Sequence, residues 1–132
     1  MKNKEGFTLV ELLAVIVVLA IIIIIALPNI VNAMNKAKEG AFKVYGKRIL
    51  STGVSIYTTE KLVELADPPL CYTLPSMNFK AGKYQGYVTT VDGVTFKLYL
   101  TDEKMYYDGV TLADIDGSTI KAGSGGITSN CP

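Results

Sequence analysis

Sixteen consecutive apolar residues, Leu12 to Leu27, constrain this chain more than any other feature. A core helix of a small globular domain needs one apolar stripe; a helix apolar on every side needs a membrane or a large interior. Counted from Phe7 to Leu27 the segment has 21 residues, of which only Thr8 and Glu11 are polar. At 1.5 Å per residue, that length crosses a hydrocarbon core of about 30 Å. Lys2 and Lys4 precede it. The positive-inside rule then places the N-terminus in the cytoplasm and everything after Pro28 outside. An ordinary secretory signal carries its cleavage site after the apolar run, at small residues. Ala26-Leu27-Pro28-Asn29 fits that poorly, and the candidate cleavage point lies before the run, at Gly6.

Glu11 is the informative exception inside the run. A carboxylate in a spanning segment costs about 2.5 kcal/mol or more, so it needs a partner or a function. The near candidate is a new α-amine at Phe7, one helical turn away, which exists only if the chain is cut after Gly6. The alternative is a carboxylate resting at the level of the cytoplasmic headgroups. The run Gly6-Phe7-Thr8-Leu9-Val10-Glu11-Leu12-Leu13 resembles the prepilin cleavage and methylation signature of type IV pilins and pseudopilins. That signature has a short basic leader, a glycine, a methylated phenylalanine, a glutamate four residues later and a proline twenty-one residues beyond the phenylalanine, where Pro28 falls. Glu5 departs from it mildly by offsetting one of the two leader lysines.

The resemblance covers about residues 1 to 30. It implies cleavage between Gly6 and Phe7, N-methylation of Phe7, and an assembly role for Glu11 and Pro28. It implies a prepilin peptidase and inner-membrane pilus assembly machinery as partners, then a homopolymer of the chain with itself. The precursor would be a single-pass membrane protein with its head outside, later part of an extracellular pilus. No cofactor is implied. A close alternative is a pseudopilin of a type II secretion or competence machine.

After Pro28, which lacks a donor and should kink or loosen the helix, helical spacing resumes. Ile30, Met34, Ala37, Ala41, Tyr45, Ile49, Gly53 and Ile56 recur every three or four residues, with Lys36, Glu39, Lys43 and Lys47 opposite. The helix ends near Tyr57 or runs on through Leu62, Val63 and Leu65 to Asp67-Pro68-Pro69. Gly40, Gly46 and Gly53 weaken it, so it depends on packing. Beyond it, Val94, Phe96, Leu98 and Leu100 alternate with polar residues, a strand pattern. Asp92-Gly93 reads as a two-residue hairpin loop. That loop pairs Val91 with Val94, Thr89 with Phe96 and Tyr87 with Leu98, burying Tyr87, Val91, Val94, Phe96, Leu98 and Leu100. A third strand at Lys104 to Tyr107 would be turned by Asp108-Gly109. The Gly/Ser/Thr-rich tail from Ser118 to Ser129 reads as loop. The expected fold is α+β, a long N-terminal helix packed on a small antiparallel sheet, which also resembles the pilin fold. Its parts are a leader 1–6, a membrane or filament-core helix 7–28, an amphipathic helix 29–66 and a β-rich head 67–132.

The remaining chemistry is sparse. The chain has no histidine, which excludes a Ser-His-Asp or Cys-His triad and any histidine metal site. A structural subunit, not an enzyme, is the expectation. A plain anchor with a small binding or enzyme head is the competing class, but it would need neither Gly6-Phe7 nor Glu11. Cys71 and Cys131 are too far apart for a CxxC motif; outside the cytoplasm they suit a single disulfide, the alternative being two free thiols. Such a bridge stabilises by about 4 kcal/mol on the chain-entropy model. Asp114 and Asp116 offer oxygen ligands for calcium, but Asp-x-Asp-Gly is equally an ordinary turn. Lys36 to Arg48 carries five cations and one acid, while the chain from Tyr57 onward carries six lysines and nine acids. Copies could attract one another through these segments, or both could be solvated faces. Lys36, Lys38, Lys43, Lys47 and Arg48 could also meet nucleic acid, with no ordered basic-aromatic pattern to support it. Gly6→Leu is expected to leave a longer precursor in the membrane, visible by intact mass. Mature protein of normal mass from that variant would remove the processing claim.

Overall fold

The computed structural model describes residues 6, 8–63, 67–80, 82–117 and 120–132. Lys2, Lys4, Glu5, Phe7, Leu65 and Ser118, all used above, lie outside the described residues, as does the helix extension to residue 66. The chain forms two compact units, Met1–Lys38 and Glu39–Pro132. One helix, α1 (Leu9–Val63, 55 residues), supplies most of the first and enters the second.

In the first unit α1 is bare. Ile16, Ile22, Leu27 and Met34 are each more than half exposed, and the apolar window of the helix has no buried share. Among the described residues, α1 is the one helix long and apolar enough to cross a membrane. Pro28 lies inside α1, so its missing N–H does not end the helix there.

In the second unit α1 covers a five-stranded antiparallel meander. Its strands are β1 (Cys71–Thr73), β2 (Gln85–Thr90), β3 (Phe96–Thr101), β4 (Met105–Val110) and β5 (Lys121–Ala122), in spatial order β1-β2-β3-β4-β5. The α+β expectation therefore describes the molecule. The buried stripe of α1 is Phe42, Gly46, Ile49, Leu50, Gly53 and Tyr57. That corrects the expected face: Ile49 and Gly53 are buried, Tyr45 and Ile56 sit at its margin and Ala41 is exposed. The shift has a steric cause. A Cβ at Gly46 would lie 3.1 Å from Leu98 Cδ2, and one at Gly53 would lie 3.1 Å from Val88 Cγ1. The two glycines let the sheet come close, and Phe42, Leu50 and Tyr57 fill the space beside them. Phe42 stacks on Tyr107 at 5.1 Å and Tyr57 meets Phe96 edge-on at 5.3 Å, geometries that aromatic quadrupoles favour.

The β2–β3 register differs from the expected one by a single residue. Thr90 pairs with Phe96, Thr89 with Lys97 and Val88 with Leu98. A one-residue slip turns a strand over. Val88 enters the core, Tyr87 turns to the other face and stacks on Tyr99 at 5.0 Å, and Val91 and Val94 are 92% and 81% exposed. The cause is the loop. It spans five residues, 91–95, organised by side chains: Asp92 Oδ1 accepts the N–H of Val94 (2.9 Å) and of Thr95 (2.7 Å), and Thr90 Oγ1 accepts that of Gly93 (2.9 Å). Those donors pull the Asp92 carboxyl down to about 2. Gly93 has φ 72° and sits against the Tyr57 hydroxyl, where a side chain would not fit.

Asp108-Gly109 is also not the expected turn. The chain reverses at Asp102–Lys104, where Asp102 Oδ1 accepts the N–H of Lys104 and Met105, both at 2.9 Å. Asp108 and Gly109 lie within β4, at a register shift: Leu98 faces Val110 and Tyr99 faces Asp108, with Gly109 at φ 75° as the extra residue. A glycine in that conformation suits a bulge as well as a turn. Part of the tail is strand rather than loop, since Lys121 and Ala122 pair with Tyr106 and Met105. The tail then returns to the opposite edge of the sheet, where Cys131 is bonded to Cys71 with Cα atoms 6.1 Å apart.

The glycine contacts predict opposite outcomes along one helix. Gly53→Leu should destabilise the head by about 1–3 kcal/mol through overpacking. Gly40→Ala, with nothing within 4 Å of its Cβ, should stabilise it by about 1 kcal/mol through helix propensity. Urea unfolding of the full chain in detergent, disulfide intact, checks both; equal effects at the two positions would contradict the packing.

Candidate processing and assembly site

The residues that the sequence marks for chemistry lie where α1 begins. Gly6 is non-helical and exposed, at φ 20° with open space around its Cβ position. The peptide bond after it therefore precedes the first helical turn. Phe7 lies outside the described residues, and so does any contact between its amine and Glu11.

Thr8 and Glu11 show what sequence reading missed. The Glu11 N–H donates to Thr8 Oγ1 at 3.2 Å, and the Thr8 N–H donates to Glu11 Oε2 at 3.0 Å. Leu12 N–H closes the first turn on the Thr8 carbonyl at 3.1 Å. This is a reciprocal capping box, and the signal Thr-x-x-Glu stood in the sequence. Helix N-termini leave donors without intrahelical partners, and their dipole favours a negative group there. In lipid, an unmet donor costs more than in water. Glu11 thus has a partner in the uncut chain. A carboxylate accepts more than one hydrogen bond, so this contact leaves capacity for a further donor.

The other candidate residues fall apart from this site. Asp114 Oδ2 accepts the Thr111 hydroxyl at 2.8 Å, and Thr111 Oγ1 accepts the Asp114 N–H at 3.3 Å, a local turn. Asp116 forms an ion pair with Lys47, whose ammonium holds its carboxyl below the usual range, while Lys43 Nζ donates to the Asp116 carbonyl at 3.2 Å. Between them, Ile115 is fully buried. The turn presses an apolar plug into the core and is fastened to α1 at Asp116 by Lys43 and Lys47. Among the described residues, no group of three or more His, Cys, Asp or Glu gathers to hold a metal.

Thr8→Val keeps shape and loses the accepting oxygen. The expected cost is about 1 kcal/mol at the start of α1, read as faster amide exchange at Val10 and Glu11 in the micelle-bound precursor. Unchanged protection there would mean that the box contributes nothing.

Residues 1–27 match the family described as the prokaryotic N-terminal methylation motif. No curated protein and no solved structure gives a match. The chain therefore carries, together with a bare apolar helix start and a disulfide-closed α+β head, the N-terminal methylation motif that is the hallmark of type IV pilins and pseudopilins.

Proposed function

We propose that this chain is a structural subunit of a type IV pilus, cut after Gly6, methylated at Phe7 and polymerised through the first part of α1. The observation that carries the reading is the uncovered apolar stretch of α1, most of which lies within the matched motif. Held in a bilayer, the precursor keeps those side chains in lipid; in a filament, copies of the same helix cover one another. The head is the surface the filament presents, for adhesion, motility or uptake of nucleic acid. Cleavage falls to a prepilin peptidase and extraction to a membrane assembly machine. Intact mass and N-terminal sequencing of protein from sheared surface fibres test processing, methylation and assembly together. Recovery from the envelope alone, never from fibres, would move the reading to a pseudopilin.

Glu11 has the sharper role in this scheme. In the membrane its charge can reach the nearby headgroups; in a filament core that escape is closed, and the Phe7 amine created by the cut is a compensating charge. A pair in so apolar a setting sets axial register more than it adds stability. Glu11→Val is therefore expected to insert at least as well as wild type, to carry the Cys71–Cys131 bond, and to lose filaments. The measurement is fibre yield against membrane-bound monomer, with this chain as the sole subunit. Normal yield would sink the pairing.

A further inference from the structure

The tip of the β2–β3 hairpin is built unlike a solvated turn. Its backbone donors are met locally: Asp92 and Thr90 accept the loop N–H groups at 2.7 to 2.9 Å, and Gly93 rests on Tyr57. Val91 and Val94, 92% and 81% exposed, project on either side of the exposed Asp92. A loop held this firmly has already lost the conformational freedom that a contact would otherwise cost. It is a firmly held knuckle of two exposed valines around the Asp92 carboxylate.

The same head carries a surface of the matching kind. Tyr45 on α1 lies 4.2 Å from Tyr84 and 5.8 Å from Phe79, ring centre to ring centre, and all three rings are half-buried. Arg48 sits 5.8 Å from the Phe79 ring and Lys83 5.2 Å from the Tyr84 ring. Neither cation has a carboxylate within 4 Å among the described residues, whereas Lys47 and Lys121 do. The flank is thus three rings edged by unpaired cations. Rings receive valines, and cations receive the carboxylate.

The two surfaces cannot meet within one head. The tip lies at Tyr57 and the flank at Tyr45 and Arg48, nine to twelve residues earlier on α1, about 15 Å along its axis at 1.5 Å per residue. A second copy beside the first, displaced along α1 by a similar distance, sets tip and flank at one level. Such a contact joins two different patches, and the displacement along the axis keeps it from closing into a ring, so it repeats as an open polymer. We propose that the Val91–Val94 tip of one copy docks on the Tyr45–Phe79–Tyr84 flank of the next. This rests on the filament reading, which supplies copies stacked along α1; it adds a head contact to the helix contact.

The test uses filaments of the full chain. Both native cysteines are consumed in the disulfide, so an introduced cysteine is a unique thiol. Val91→Cys and Lys80→Cys, the latter exposed beside Phe79, are made in separate copies and co-expressed. Sheared fibres are treated with a short bismaleimide. Covalent dimers are expected only in mixed filaments, and Val94→Glu in the Val91→Cys copy should remove them. Dimers from Val91→Cys alone would mean that tips meet tips, and a crosslink to any other envelope protein would mean another occupant; either overturns the proposal. Fibres that form normally and give no mixed dimer overturn the tip contact alone. Failure of the unsubstituted chain to form fibres overturns the filament reading and this inference with it.

Discussion

What governs the molecule is where α1 can find cover for its apolar side chains. A Leu, Ile or Val side chain gains about 1.5–3 kcal/mol when fully buried, and from Leu9 to Val31 almost every one is exposed within the chain. The described head offers its own core to a different stretch, Phe42 to Tyr57. Cover for the first stretch must come from lipid or from another chain. A helix is the element that permits both, because its backbone hydrogen bonds are internal and survive the move from lipid to protein. Lipid chains are as apolar as leucine, so leaving them gains little by hydrophobicity alone. Packing, register and contacts between heads must then decide whether a polymer forms.

The head meets the opposite demand, to be complete by itself. Its core takes residues from α1, all but the last strand and the Asp114–Asp116 turn, whose Ile115 closes one side. The disulfide joins a strand at one edge to the tail that forms the other edge. Edge strands left open invite pairing with another chain. Here both edge strands are short, three and two residues, which leaves little backbone for such pairing.

Much of this was legible in the sequence, and the failures share a form. The apolar run, the helix beyond it, the strand Phe96 to Leu100 and the cysteine pairing follow from composition, period and count. What went astray was phase. The expected helix stripe holds Ile49 and Gly53 but runs through Tyr45 and Ile56, because Gly46 carries no hydrophobic signal although it faces the sheet beside Phe42 and Leu50. The hairpin register slipped by one because Asp92-Gly93 suits a two-residue loop, while Thr90 and Asp92 together build a five-residue one. Asp108-Gly109 satisfied a turn rule and serves as a bulge. At the site, Glu11 was read as a charge seeking a charge, and its nearer role as the acid of a capping box was overlooked. In each case local chemistry allowed two structures, and contacts distant in sequence chose between them.

Linear charge misled in a related way. The segment Lys36 to Arg48 reads as a basic stalk beside an acidic head, but Lys43 and Lys47 spend their charge on Asp116 inside the same head. Asp108 and Lys121 approach to 3.9 Å across β4 and β5. Such exposed pairs add little stability, since solvent and salt screen them. Their effect is subtraction: they remove from the surface the charges that would otherwise attract indiscriminately. Arg48 and Lys83 lie over rings rather than against acids, as Lys61 does over Tyr57, so at these places positive charge is presented together with an aromatic face. A polymer with one register needs its attractive groups few and placed, because like charges and misplaced apolar patches exclude wrong neighbours as surely as matched ones select right ones. Local pairing on one side of α1 is thus what gives meaning to the unpaired cations on the other.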